Sequence, residues 1–142
     1  WESNAIMLYV ASLDRQSRLL PTEPMARAQV ERWLFWQNAH LGPAVGKINY
    51  EKNFKAKMGS GAPDPRAIAE AMPEVERFLG VLNTALEGKP YIESKLTVAD
   101  FALATTVSVC AQIDISLSSY PNINRWLTGI TDRPSWKNSV KW

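Results

Sequence analysis

Residues 96–113, LTVADFALATTVSVCAQI, constrain the fold more than any other stretch of the chain. Between Val98 and Gln112 the only charged residue is Asp100, and small side chains dominate. A helix without a polar face is buried on all sides, and small side chains let neighbouring helices approach closely. The stretch therefore predicts the central helix of an all-helical domain.

Two polar residues mark the start of this helix. Thr97 at the N-cap can accept a hydrogen bond from the Asp100 N–H, and the Asp100 carboxylate can accept one from the Thr97 N–H. Asp100 could also serve as a catalytic carboxylate, but its spacing from Thr97 favours a structural capping role. Cys110 lies in the same apolar run and is predicted to be a small buried side chain, because nothing nearby in the sequence would stabilise a thiolate.

Composition excludes several classes of function. The 142 residues contain 16 Lys and Arg against 14 Asp and Glu, so the balance of charge does not predict a nucleic-acid surface. One Cys and one His exclude a disulfide framework and a conventional zinc site. The sequence shows no signal peptide and no transmembrane run. We therefore expect a cytoplasmic protein with no nucleic-acid, membrane or metal partner. Because it opens at Trp1 without a Met, we interpret it as part of a longer protein.

Two helices are predicted in the first third of the chain. Ser3 is a favoured N-cap for a helix over residues 4–13. A longer helix is predicted from Glu23 or Pro24 past residue 40, with Pro favoured in its first turn. We expect Gly42-Pro43 to bend or break this helix, with continuation to about residue 51 as the alternative.

The remaining helices follow from similar signals. Residues 52–63 are basic and glycine-rich and predict a mobile loop. Asp64-Pro65 is a cap followed by proline at the first helical position, and the helix that it begins is predicted to end at Gly88 and to kink or restart at Pro73. Its apolar residues recur at helical spacing. They are Ile68, Met72, Val75, Leu79, Leu82 and Leu86. Short helices are predicted over residues 122–130 and 135–140.

A series of short motifs occurs in order along the chain. They are Glu2-Ser3-Asn4-Ala5-Ile6 with Tyr9, Arg32-Trp33 with Trp36-Gln37, Leu79 to Leu86 with Gly88, Tyr91-Ile92, the 96–100 capping segment, Pro121-Asn122 with Trp126, and Arg133-Pro134. In this order they resemble the C-terminal part of a soluble glutathione S-transferase, most closely of the bacterial theta- or phi-like types.

The resemblance implies a particular domain organisation. Residues 1–13 would be the last helix of a thioredoxin-like glutathione-binding domain, 14–23 a linker, and 24–142 an all-α domain of about five to six helices. Proline and polar residues in the 14–23 segment agree with a linker. The family also implies a homodimer.

Glu2 and Ser3 are the predicted glutathione-binding residues. A Ser hydroxyl and free N–H groups at a helix N-terminus form an anion site, and a neighbouring carboxylate can hold an ammonium group. The resemblance implies that this pair binds the γ-glutamyl end of glutathione. The alternative is an ordinary Ser N-cap beside an acidic residue.

The resemblance implies that the long helix lines a pocket for a hydrophobic substrate, and Phe35, Trp36 and Asn38 are its candidate residues. They lie off the core stripe of the long helix, and large aromatic side chains off a core stripe favour a binding patch. Domain packing and a dimer interface are the alternatives. His40 is predicted to be a surface or capping residue.

The implied reaction joins the glutathione thiol to a hydrophobic electrophile, or reduces a peroxide or haloacid with it. Glutathione would be a co-substrate, with no tightly bound cofactor and no metal. The family's activating Ser, Tyr or Cys would lie outside this chain, so no catalytic residue is named and the chain alone is expected to be inactive. Two alternatives are a non-catalytic interaction domain, as in translation elongation factor gamma subunits, and a purely structural helical bundle.

Overall fold

The computed structural model describes residues 1–139, which form seven α-helices and no β-strand. The helices are α1 (Ser3–Ser12), α2 (Pro24–Trp36), α3 (Gly42–Asn49), α4 (Pro65–Ala85), α5 (Val98–Gln112), α6 (Pro121–Thr131) and α7 (Pro134–Ser139). Two π-helical segments, Gln37–Leu41 and Tyr50–Phe54, join α2 to α3 and extend α3. If residues 24–54 are counted as one continuous helix, five helices follow α1, in agreement with the five to six that were predicted. The predicted all-α fold is confirmed.

Helix α5 lies at the centre of the bundle. It packs against α1, α2, α3 and α6. Its buried side chains are mostly small or apolar, and they are Val98, Ala99, Asp100, Ala102, Leu103, Ala104, Val107 and Cys110. The absence of a polar face, which predicted a central helix, follows from this burial on several sides.

The Asp100 carboxylate joins three parts of the fold although it is completely buried. Oδ2 accepts from the Thr97 N–H at 2.9 Å and from the Thr97 hydroxyl at 3.2 Å, within a complete capping box. Oδ1 accepts from the Ile92 N–H and from Trp126 Nε1, each at 2.9 Å. Burial raises the pKa of Asp100, and these hydrogen bonds act in the opposite direction. The carboxylate therefore links the loop before α5, the start of α5 and the middle of α6.

Replacing Asp100 tests this role. In Asp100→Ala the buried N–H groups of Ile92 and Trp126 lose their acceptor, so we expect the free energy of unfolding to fall by about 3 kcal/mol or more. Urea denaturation measures the change. Asp132→Ala is the matched control, because Asp132 is exposed and its one salt bridge within residues 1–139 is to the exposed Lys137; we expect a change within about 0.5 kcal/mol. Similar losses in the two variants would contradict the assignment.

The start of α1 differs from the prediction. Ser3 is the first helical residue and Glu2 occupies the N-cap position, so the predicted Ser3 N-cap is wrong. Glu2 has a φ of 67°, in the left-handed region. This turn directs the chain into the helix one residue earlier than the sequence indicates.

The long helix does not break at Gly42-Pro43, and it continues to Phe54, beyond the expected end near residue 51. Proline lacks the N–H that the preceding turn would use. The π-helical segment accommodates this, since the Gly42 N–H donates to the Gln37 carbonyl oxygen five residues earlier. A Cβ atom at Gly42 would lie 2.8 Å from that same oxygen. The predicted loop over residues 52–63 is correspondingly wrong for 52–54.

Gly42→Ala tests the requirement for glycine in this turn. The added methyl group would clash with the Gln37 carbonyl, and we expect a loss of about 1–3 kcal/mol in the free energy of unfolding. Gly46→Ala is the control in the same long helix, because a Cβ there meets nothing within 4 Å. Since Ala is the better helix former, we expect Gly46→Ala to gain up to about 1 kcal/mol. Equal stabilities by urea denaturation would show that the close approach is relaxed.

The later helices follow their local signals. Asp64 caps α4 by accepting from the Arg66 N–H at 2.9 Å, and α4 continues through Pro73 without a restart. Helices α6 and α7 begin at prolines, one residue before their predicted starts. The predicted last residue of α7, Val140, lies outside the described residues. None of the helices described in residues 1–139 has the length and apolar character needed to cross a membrane.

Candidate functional site

A cavity of about 300 Å³ lies between α1 and the C-terminal half of α2 with the π-helical segment that follows it. It brings together Glu2 from the start of the chain with Phe35 and Asn38 from the long helix. The other lining residues are Asn4, Ala5, Leu8, Glu31 and Leu34. One predicted glutathione-binding residue and two predicted substrate-pocket residues thus share a cavity, although 33 positions separate Glu2 from Phe35 in sequence.

Glu2 and Asn4, at the start of α1, give this cavity polar lining, whereas Ser3, which lies between them in sequence, does not line it. The Ile6 N–H donates to the Glu2 carbonyl at 3.0 Å, so the N–H groups before it have no carbonyl within the helix to bond. The Glu2 side chain makes no capping hydrogen bond to this turn within the described part of the chain. Glu2 and Ser3 are both exposed. Together they present a carboxylate, a hydroxyl and a helix N-terminus to solvent, which suits a ligand carrying both an ammonium and a carboxylate.

The backbone of Glu2 is strained as well as exposed. A φ of 67° is uncommon for a residue with a side chain. Strain of this kind clusters at ligand-binding and active sites and persists only where the surroundings hold it. The strained residue here is one that the sequence predicts to bind glutathione.

The side chain of Phe35 forms the apolar wall of the cavity. It is 72% exposed, an unusual state for a large aromatic residue. Asn38 lies one helical turn further along the same face and is also exposed. This wall combines apolar area with an amide that can donate and accept hydrogen bonds.

Trp36, the third residue predicted to line a substrate pocket, does not line this cavity. Its ring packs edge-on against Trp33 and Phe78, with centroid distances of 5.3 and 5.8 Å. His40 joins this group, 5.4 Å from Phe78. Adjacent residues on a helix point about 100° apart, so Phe35 and Trp36 face different neighbours. Trp36 thus packs against Phe78 of α4, and its role in a substrate pocket stays a prediction.

Asn4 and Gln37 are not among the site residues predicted from the sequence. Asn4 lines the cavity, and its amide Nδ2 donates to Gln37 Oε1 at 3.1 Å. The available signal was a polar residue, Gln37, amid the apolar stripe formed by Val30, Leu34 and Leu41.

A second and larger cavity lies between α1 and α5. Its volume is about 810 Å³, and its apolar side includes Ile6 and Val10, both more than half exposed. Its lining also includes four charged residues, Asp14, Arg18, Lys95 and Arg133. We refer to this cavity as the α1–α5 groove.

Two other kinds of site, a reactive cysteine and a metal centre, find no support within residues 1–139. Cys110 is completely buried, and burial raises the pKa of its thiol to about 11. Its thiolate is therefore scarce near neutral pH. Within residues 1–139 the structure shows no group of three or more His, Cys, Asp or Glu side chains that could hold a metal ion.

The burial of the Cys110 thiol predicts that it reacts slowly in the folded protein. Because the raised pKa and the burial both suppress thiolate attack, we expect Cys110 in the native protein to react with a disulfide reagent at about pH 8 only as fast as the chain unfolds. Absorbance of the released thiol measures the rate, and the same protein in denaturant provides the fast reference. Immediate stoichiometric reaction of Cys110 in the folded protein would contradict this account. In the control variant Cys110→Ser no thiol should be released, which assigns the absorbance change to Cys110.

Comparison with known proteins agrees with this architecture. A sequence model described as the glutathione S-transferase C-terminal domain matches residues 37–134. The chain therefore belongs to the glutathione S-transferase family, as its sequence motifs indicated.

The curated relatives that match this chain are longer than it is. It is 32% identical over 145 aligned residues to glutathione S-transferase D7 of Drosophila melanogaster, covering 99% of this chain and 61% of that protein. It is 34% identical over 136 residues to the disulfide-bond oxidoreductase YfcG of Escherichia coli K12, covering 95% of this chain and 60% of that protein.

A solved structure matches the fold over nearly the whole chain. It is a glutathione transferase from Pseudomonas putida with one glutathione disulfide bound per subunit, and it superimposes with a TM-score of 0.86 at 26% identity. The match covers 99% of this chain and 61% of that chain. The chain thus spans about three fifths of the length of these relatives.

Proposed function

We propose that this chain is the C-terminal part of a glutathione transferase that conjugates the glutathione thiol to a hydrophobic electrophile. The observation that carries the proposal is the cavity that Glu2 shares with Phe35 and Asn38. It combines a polar end suited to an amino-acid head group with an apolar wall suited to an electrophile. The names of the matching relatives support the same activity.

The charges of the γ-glutamyl group define a role for each residue at the polar end. The Glu2 carboxylate would pair with the ammonium group of glutathione. The Ser3 hydroxyl and the free N–H groups of the first turn of α1 would bind its α-carboxylate. Phe35 and Asn38 would contact the electrophile.

We propose the domain boundaries on the same basis, with 1–13 belonging to a thioredoxin-like domain, 14–23 a linker and 24–142 the helical domain. The α1–α5 groove would receive the rest of that thioredoxin-like domain, which would supply the group that activates the thiol. Its exposed apolar residues, Ile6 and Val10, support this assignment, because apolar area of this size favours coverage by protein. By family resemblance we also propose a cytoplasmic homodimer.

A second candidate reaction is the reduction of disulfides by glutathione. It is favoured by the identity with the disulfide-bond oxidoreductase YfcG. Assays of the full-length protein with a chromogenic electrophile and with a small disulfide, each in the presence of glutathione, distinguish the two reactions.

Calorimetry of the full-length protein with glutathione tests the binding roles. We expect Glu2→Gln and Ser3→Ala each to weaken binding about tenfold, the cost of a lost hydrogen bond to a charged group.

Matched controls lie elsewhere in the same chain. Ser12→Ala changes a serine at the opposite end of α1, where its hydroxyl bonds the Tyr9 carbonyl. Glu87→Gln changes an exposed carboxylate beyond α4. Both should bind glutathione as the wild type does. If the wild-type protein bound no glutathione at millimolar concentration, the transferase proposal would be wrong.

A further inference from the structure

A chain of hydrogen bonds between side chains connects α1, the long helix and α5. We call it the amide chain and define it as Asn4, Gln37 and Thr106. All three residues are at least partly buried. The amide chain ends beside the residues proposed to bind glutathione, because Asn4 directly follows Ser3.

Asn4 attaches the first turn of α1 to the long helix. Its Nδ2 donates to the Leu34 carbonyl and to Gln37 Oε1, both at 3.1 Å. Its neighbours Ser3 and Ala5 are exposed. The apolar residues through which α1 packs on the core, Met7, Leu8 and Ala11, lie further along the helix. Asn4 is thus the polar attachment of the turn that presents Glu2 and Ser3.

Gln37 holds Asn4 in place from the other side. Its Nε2 donates to Thr106 Oγ1 at 2.8 Å, in the middle of α5, so both ends of its amide are engaged. The Gln37 backbone is also constrained, since its carbonyl accepts the hydrogen bond of the π-helical turn from Gly42. Through the amide chain, the position of Asn4 is therefore fixed relative to α5, the central helix of the bundle.

This connection has a consequence for Glu2. The left-handed backbone at Glu2 costs free energy and persists only if adjacent contacts over-determine it. Asn4 lies two residues away and makes the nearest side-chain hydrogen bonds to another helix. Loosening Asn4 would let the first turn of α1 relax and would move the Glu2 carboxylate relative to Ser3.

We propose that Gln37 is a positioning residue for glutathione, acting through Asn4 to hold Glu2 and Ser3 in their binding arrangement. The proposal rests on the proposed function and adds to it a residue that does not itself line the cavity. It predicts separate effects on the two substrates, because Phe35 and Asn38 are held by the backbone of the long helix and not by the amide chain.

The test uses Gln37→Met in the full-length protein, which keeps the length of the side chain and removes both hydrogen bonds. We expect the KM for glutathione to rise about tenfold, while the KM for the electrophile and kcat change by less than about twofold. Hydrogen exchange should also accelerate at the amides of the first turns of α1.

Two further variants separate positioning from general stability. Gln37→Glu should restore most of the affinity for glutathione, because a carboxylate can accept from both Asn4 Nδ2 and the Thr106 hydroxyl. Thr106→Val, a change of similar shape remote from the cavity, should shift the KM for glutathione in the same direction as Gln37→Met but less. Gln29→Met is the control on α2, since the only hydrogen bond of the Gln29 amide among the described residues goes to Met25 Sδ, at 3.9 Å.

The outcomes distinguish this proposal from the proposed function. If the wild type binds glutathione and Gln37→Met binds it equally well, the positioning role is wrong and the transferase assignment stands. If the KM values for both substrates rise together, or if Gln37→Met alters the melting temperature but not the KM ratio, Gln37 is merely structural. If the wild type binds no glutathione, the proposed function fails, and this inference fails with it.

Discussion

The fold depends above all on a buried carboxylate whose oxygens are all satisfied. Asp100 receives hydrogen bonds from its own helix start, from the preceding loop at Ile92 and from the indole of Trp126 on α6. A buried charge is costly unless its surroundings replace water. Here the replacement comes from groups far apart in sequence, so the carboxylate is satisfied only when the loop, α5 and α6 have all assembled. This makes the interaction specific for one packing arrangement as well as stabilising.

The candidate site lies at the edge of the bundle, and fewer buried contacts hold it in place than hold Asp100. Glu2, Ser3 and Phe35 are exposed, and their geometry relies on how α1 is attached to the long helix. Apolar contacts hold the later turns of α1, whereas directional hydrogen bonds from Asn4 hold its first turn. Apolar contacts tolerate small rotations of a helix, but hydrogen bonds do not. A site that must orient two charged groups of a ligand therefore benefits from the polar attachment.

What the sequence predicted well depends on local interactions. The bounds of α5, the capping residues Thr97 and Asp100, and the Asp64 cap of α4 all follow from residues within one helical turn of each other. The predictions that were wrong concern features that depend on interactions between residues far apart in sequence. The helix persists through Pro43 because π-helical turns and tertiary packing compensate, and Ser3 loses the cap position to a strained Glu2. The partners of Gln37, at residues 4 and 106, could not be identified from spacing. The roles of Glu2, Ser3, Phe35, Trp36 and Asn38 in binding stay predictions.

The π-helical turn before Pro43 also restricts how this segment can evolve. Proline is tolerated because the turn shifts the hydrogen bonds by one residue, and the shifted turn is tolerated because Gly42 has no side chain to meet the Gln37 carbonyl. A side chain at Gly42 meets a clash as long as the π-helical turn holds the Gln37 carbonyl this close. A change at Gly42 therefore requires that the hydrogen bonding of the turn itself changes, so the residues of this turn are coupled in what they tolerate.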